Sequence, residues 1–293
     1  MKTWSMPVSA GKSVTVPCAC CGGLVFKPAL ECEGFSFVRC VSCNLVQRNP
    51  QPDKDEILAR YKNIFGKDYL SYELENEEAF LKLQQLALKD AKFSRLEKEL
   101  FSRTVQQNAQ DAPSILDIGC ATGSLLASLR TNGWRVTGVE ISPCAEYARN
   151  ERNLDVRDKP LEENNFPSAS FDVILASHLI EHLNDPSVFL KETYRILKDD
   201  GYLFITTPNI DGFQSRLFGS RWRSAIFDHL FLFSVRTLSK LLKNTGFKVK
   251  NCYTWGGLAK GMAPPFIKKI ADPLVKILGS GDVMIMKAVR ELR

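Results

Sequence analysis

The chain lacks any apolar run of about 18 residues, the length a membrane-spanning helix needs. Its first residues, MKTWSMPVSAGKSV, lack the apolar core of about 7–15 residues that marks a secretory signal. A cytoplasmic protein is therefore expected, and its nine cysteines are expected as thiols or metal ligands rather than disulfides. Histidine is scarce, with three in 293 residues: His178, His182 and His229. That leaves few imidazoles for acid–base chemistry. No internal repeat or low-complexity tract is visible, which excludes solenoids and disordered linkers as the main architecture.

What is present divides unevenly. Hydrophobic residues make up 44% and charged residues 25%, an ordinary globular balance. The net charge of +6 is concentrated late: residues 212–293 hold fifteen Lys/Arg against four Asp/Glu. A basic C-terminal portion suits an anionic substrate or surface, or is a solvated face. Residues 14–50 are rich in Cys, Gly and aromatics, with alternating runs such as GFSFVRC, and read as small hairpins. Residues 51–110 are charged, with Phe80, Leu83, Leu86 and Leu88 at helical spacing, and read as a helical linker or lid. Tyr61, Tyr69 and Tyr72 follow the hairpins as lid or packing residues. Residues 111–252 alternate short apolar strands with amphipathic helices, the pattern of a mostly parallel sheet covered on both faces. Residues 253–293 form a basic extension that completes or covers this domain.

Two motifs carry chemistry. Cys18-x-x-Cys21 and Cys40-x-x-Cys43 are separated by 18 residues, the spacing of a structural four-thiolate zinc shell. Gly22 and Asn44 follow the knuckles and suit the turns that aim amides at sulfur. Cys20 falls outside the spacing, and Cys32 has no partner knuckle. The second motif is ILDIGCATGSLLASL, a buried strand running through Gly119 and Gly123 into a helix. It reads D-x-G-x-x-x-G, not the G-x-G-x-x-G of dinucleotide folds. The next strand, RVTGVE, ends in Glu140, whose two oxygens can accept both hydroxyls of a ribose.

DIGCATG with an acid after the second strand resembles the class I S-adenosylmethionine-dependent methyltransferases. FPSASFDVILASHLIEHLNDP, LKDDGYLFITTPN and HLFLFSVRTLSKLLKNTGFKV extend the likeness over residues 114–249. GFSFVRCVSCNLVQRNPQPDKDEILARY resembles the zinc ribbon that precedes many bacterial members. The resemblance implies an α/β fold: a Rossmann-like, mostly parallel seven-stranded sheet flanked by helices, with a small N-terminal four-cysteine zinc ribbon. It implies that Asp117, Gly119, Cys120 and Gly123 line the methionine and ribose side of S-adenosylmethionine. Glu140 would hold the ribose and Ile141 the adenine. The acid that often meets the adenine amine would fall at Pro160, so Asp158 or the backbone of Leu161 takes its place.

For the methyl acceptor, oxygen is expected, because the segment after the fourth strand reads ASHL rather than Asn/Asp-Pro-Pro-aromatic. A hydroxyl acceptor needs a base. His178 and His229 are the catalytic candidates, and on a helix His178 and His182 would share a face. His-x-x-Glu-His also has metal-binding spacing, but the family context accounts for these residues without a metal. The expected enzyme methylates a small-molecule, glycan or lipid-linked acceptor, with the basic stretch 257–282 as a cover or a peripheral inner-membrane contact. An RNA methyltransferase gripping phosphates through ribbon and basic region is an alternative, disfavoured because no aromatic-basic platform is visible. A non-catalytic, zinc-dependent interaction protein is another, disfavoured by the intact glycine loop.

Overall fold

The computed structural model describes residues 13–59, 66–106, 111–256, 275–276 and 279–291. Tyr61 and most of the basic stretch 257–282 lie outside them. The chain begins with five short strands: β1 (Ser13–Val14), β2 (Phe26–Cys32), β3 (Phe35–Cys40), β4 (Val46–Arg48) and β5 (Gln51–Pro52). Phe37 and Cys40 of GFSFVRC are both fully buried but, three residues apart, face opposite sides of the strand and join different core clusters. β2 and β3 pair antiparallel across a turn whose Gly34 has φ +80°.

Three helices follow: α1 (Lys54–Ala59), α2 (Gly66–Asp90) and α3 (Phe93–Gln106). The segment is helical as its apolar spacing predicts, but Leu83 and Leu86 are exposed. The face turned toward the protein instead carries Glu73, Glu77, Leu81, Gln84 and Leu88, spaced by three and four residues. Helical periodicity alone favoured the apolar residues. The helix lies across the end of a sheet, and polar side chains face that end.

The remaining elements are β6 (Ser114–Ile118), α4 (Ser124–Thr131), β7 (Arg135–Val139), α5 (Cys144–Arg152), β8 (Val156–Arg157), β9 (Phe171–Ser177), α6 (Pro186–Ile196), β10 (Leu197–Pro208), α7 (Phe213–Phe218), β11 (Phe231–Leu232), α8 (Val235–Asn244), β12 (Phe247–Trp255) and β13 (Val283–Arg290). Seven of these strands form one sheet in the order β12-β13-β10-β9-β6-β7-β8. Both pairings of β13 are antiparallel and the other four are parallel. All five residues of β6, SILDI, are buried, as a central parallel strand covered on both faces requires. Leu116, Ile174 and Ile205 point to one core layer, and Ile115, Val173 and Phe204 to the other. Asp185 caps α6 by accepting from the amides of Ser187 and Val188. Ser234 and Thr237 cap α8 reciprocally.

The ribbon is not appended to this sheet by a linker alone. β11, from the segment after β10, pairs antiparallel with β4, so the ribbon's sheet runs β11-β4-β3-β2. Cys18, Cys20, Cys40 and Cys43 belong to the same buried cluster as Leu116 and Ile205. Trp222, Phe37 and Leu232 form a smaller core between the ribbon and the insertion between β10 and α8, residues 209–234. Cys32 packs there, its Sγ 3.8 Å from the Ser220 carbonyl. Among the described residues no helix is long and apolar enough to cross a membrane.

Candidate active site and metal centre

At the C-terminal end of β6 the chain turns sharply. Gly119 (φ +77°) and Gly123 (φ +76°) adopt the left-handed region that glycine tolerates. A Cβ on Gly123 would lie 2.6 Å from Leu154 Cδ1, so close packing demands glycine there as well. Glu140, at the end of β7, accepts the Ala121 amide on Oε2 (3.0 Å) and the Ser142 amide on Oε1 (2.8 Å). Each oxygen retains a lone pair for a further donor. Asp117 is 1% exposed, and neither of its oxygens has a hydrogen-bond partner among the described residues. Burial, and then the Glu140 charge, push its carboxyl up to about 7. Asp117 lines a small cavity with Gln84, Leu175, Ser177 and Thr206.

The other expected cofactor residues divide by position. Cys120 is buried, and its side chain packs with Leu126, Ala148 and Val156 behind the loop. Ile141 is half-buried beside Glu140. Asp158 is exposed just past β8 and meets Arg149 at 3.3 Å. Leu161 is buried at the start of a short 3₁₀ turn, Leu161–Glu163. Sequence reasoning missed Thr122 and its contact with the covering helix α2. The Thr122 hydroxyl donates to Glu77 of α2, whose carboxylate also meets Arg152 Nη2 through both oxygens at 2.6 Å. The polar half of α2 was a signal that could have pointed to this contact.

A second polar group lies past the end of β9. His178 has φ +52°, its amide donates to the Thr206 carbonyl (2.8 Å), and its side chain is half exposed. The segment Ile180–His182 is a 3₁₀ turn, so His178 and His182 do not share an α-helical face. The chain reverses at His178 instead of continuing into a helix. Glu181 is fully buried beneath it, with Oε1 3.3 Å from His178 Nδ1 and Oε2 accepting from the Thr207 hydroxyl at 2.9 Å. Burial opposes the Glu181 charge, but the three histidines, His178 foremost, offset it and hold the carboxyl down at about 2. His229 is buried, and its Nδ1 donates to the Ser224 carbonyl at 2.8 Å, leaving Nε2 unprotonated. Burial and then His182 lower it to about 3. The His182 and His229 rings meet edge to face at 4.6 Å, and His182 Nδ1 lies 3.0 Å from the Asp228 carbonyl. Donor atoms of Glu181, His182 and His229 lie within 4.8 Å of one another, a grouping able to hold a metal ion. All three histidines thus surround one carboxylate.

The four knuckle cysteines converge as their spacing predicted. Their sulfurs all lie within 4.8 Å of one another, with Cys18–Cys43 at 3.4 Å and Cys21–Cys40 at 3.6 Å. A tetrahedron of zinc–sulfur bonds of about 2.3 Å has sulfurs about 3.8 Å apart, so the cluster fits that ion closely. Gly22 (φ +70°) and Asn44 (φ +66°) close the knuckles, their amides donating to the Cys18 and Cys40 carbonyls. Cys20 points elsewhere, toward the Thr237 carbonyl.

The family described as a methyltransferase domain matches residues 79–251, more than half of the chain, and the chain belongs to that family. It is of the class I kind, which uses S-adenosylmethionine. The anionic, glycine-lined cleft fits such a ligand: two lone pairs on Glu140 suit a ribose diol, and the unpartnered Asp117 suits a cation. Among curated proteins, the mitochondrial ubiquinone biosynthesis O-methyltransferase of Rattus norvegicus is 38% identical over 107 residues, covering 32% of this chain and 30% of the relative. Ubiquinone biosynthesis O-methyltransferase of Caulobacter vibrioides is 30% identical over 126 residues, covering 39% of this chain and 50% of the relative. The chain thus spans from about a third to half the length of these relatives. A SAM-dependent methyltransferase structure from Thermotoga maritima overlays with a TM-score of 0.48 at 23% identity, covering 73% of this chain and 97% of that one.

Proposed function

We propose that this protein transfers a methyl group from S-adenosylmethionine to an oxygen of a small organic acceptor, with a structural zinc ribbon bracing the acceptor side. The observation that carries the reading is the couple formed by half-exposed His178 and buried Glu181, at the end of the strand beside the glycine loop. When bound, S-adenosylmethionine supplies an electrophilic methyl on a positively charged sulfur. The residues do the rest. Asp117, Gly119, Gly123 and Glu140 form the donor's binding wall, with Ile141, Leu161 and Asp158 on the adenine side. Glu181, held charged, favours the His178 tautomer with its proton on Nδ1, so that Nε2 takes the acceptor's hydroxyl proton. His229, neutral and buried with a bare Nε2, backs this wall and is the second candidate base. Oxygen as acceptor is supported by the names of the curated relatives, which are O-methyltransferases. Glycan-linked and lipid-linked hydroxyls belong to the same acceptor class.

Cys18, Cys21, Cys40 and Cys43 bind zinc in this reading, in a closed shell that leaves no position for catalysis. The ribbon instead supports the insertion that carries His229. The Arg48 amide donates to the Leu230 carbonyl, the Leu230 amide to the Glu181 carbonyl, and the Arg48 guanidinium to the Phe227 carbonyl, each at 2.8 Å. The ribbon, the insertion, the linking helices and the sheet are accordingly one working unit in which ribbon (14–50) and methyltransferase domain (111–252) share a wall.

The test uses S-adenosylmethionine with a labelled methyl group, incubated with the full chain and cell extract divided into small-molecule, lipid, glycan and nucleic-acid pools. Base-stable label in one of the first three pools is expected. Label confined to RNA overturns the reading in favour of an RNA methyltransferase. Cofactor binding with no transfer to any pool overturns it in favour of a non-catalytic scaffold.

A further inference from the structure

α2 closes one side of the cofactor cleft and brings acids with it. Its Glu77 is fastened by Arg152 and by Thr122 of the glycine loop, which sets the helix over that loop. One turn earlier, Glu73 is held half-buried, within reach of the Glu140 charge. On the other side of the cleft Asp117, 1% exposed and with both oxygens unpartnered, also faces the Glu140 charge. Arg152 is already engaged with Glu77, and among the described residues none of the groups acting on Glu73 or Asp117 is a cation. Burial and the acids Glu140 and Glu77, opposed by a bond from Tyr69, push Glu73 up to about 7. With α2 tied to the glycine loop through Glu77, both half-buried Glu73 and buried Asp117 face the Glu140 charge, and a positive ligand between them relieves that repulsion.

The reaction removes that positive charge. As the methyl–sulfur bond breaks, its electron pair stays on sulfur, the methyl bonds to the acceptor oxygen, and the hydroxyl proton goes to His178. The sulfonium becomes a neutral thioether, while adenine, ribose and amino-acid end are unchanged. We infer that Glu73 is a specificity-determining residue of the cofactor cleft: with Asp117 and Glu140 it holds the charged methyl donor in preference to the uncharged-sulfur product, so that transfer itself loosens the grip. This rests on the methyltransferase reading above.

Titration calorimetry on the full-length, zinc-loaded protein tests it without knowledge of the acceptor. Three ligands are compared: S-adenosylmethionine, S-adenosylhomocysteine, and sinefungin, which carries an ammonium-bearing carbon in place of the sulfonium. Glu73→Gln is expected to weaken S-adenosylmethionine and sinefungin about tenfold and S-adenosylhomocysteine less than about twofold. Equal weakening of all three, or of none, overturns the inference. A second measurement needs no variant: in the wild type, raising salt from low to high is expected to lower the affinity for the two charged ligands more than for the product. Salt-independent ratios count against it. A wild type that binds none of the three defeats the methyltransferase reading itself, a result distinct from a changed ratio.

Discussion

Four sulfurs meet at the knuckles of the ribbon, and around the glycine loop the Glu140 charge acts on both Asp117 and Glu73. Both are concentrations of groups that carry negative charge, and both lie beside tight turns with residues at positive φ. They differ in closure. The sulfurs lie at tetrahedral spacing, and the knuckle turns bend around them, so the shell suits one ion held permanently. The carboxylates are spread over β6, β7 and α2, with unused lone pairs and a cavity beside Asp117, so the cleft suits a cation that exchanges. A closed anionic cluster stabilises a fold, and an open one selects a ligand.

The largest effect expected from breaking this contrast is on the closed side. Cys40→Ser should abolish stoichiometric zinc in metal analysis and lower the melting temperature by on the order of 10 °C. The affinity for S-adenosylmethionine of any folded fraction should change less than about threefold, since the glycine loop contacts no ribbon cysteine. On the open side, Glu140→Ala removes the acceptor for two backbone amides and, in the proposed reading, for the ribose. Calorimetry should show roughly a hundredfold weaker cofactor binding. Between the two lies the couple beside the cleft. Once an acceptor is known, His178→Ala should lower kcat by about 10²–10⁴ with unchanged cofactor affinity. Glu181→Gln should lower kcat less and move the alkaline plateau of the pH–rate profile, because the imidazole loses a charged partner.

A smaller effect is a pH dependence of opposite sign in the two kinds of buried acid. Asp117, raised to about 7 in the cleft, binds its proton more tightly when folded. Its contribution favours folding at low pH and is lost as pH rises from about 3.8 to about 7. Glu181, lowered to about 2, contributes above pH 4.5 and loses that contribution as pH falls toward 2. His229, buried neutral, likewise loses stability as pH falls from about 6.5 toward 3. Asp117→Asn should therefore raise the ligand-free melting temperature at pH 8 but not at pH 4, while weakening cofactor binding at both. Smallest of all should be Asp158→Ala. The side chain is exposed and paired with Arg149, so cofactor affinity should fall less than about threefold.

These contrasts bear on how much could be read from the chain itself. The glycine loop, its strand and Glu140 lie within 27 residues, and their geometry follows from local rules: glycine at positive φ, a buried run, an acid at a strand end. The knuckles are equally local, and their 18-residue separation matches the β2–β3 hairpin between them. The strand–helix alternation of residues 111–252 specified a mostly parallel sheet because each period reports its own burial. The helices of residues 51–110 were legible from apolar spacing, but periodicity records which residues share a face and not what that face meets. The acids of α2 gain meaning from Thr122 and Arg152, which lie 45 and 75 residues away.

The sequence by itself determined the local devices: the loop, the acid after it, the two knuckles, the caps and the order of strands and helices. Tertiary structure decided which of them act together. It set Glu73 against Glu140, gathered three histidines around Glu181, and lent β11, just after His229, to the sheet of the four-cysteine ribbon. The reason is physical. Backbone dihedrals and hydrophobic period are properties of neighbours in the chain. Charge repulsion, an ion pair or a shared sheet edge depends on distances that exist only after the chain has folded.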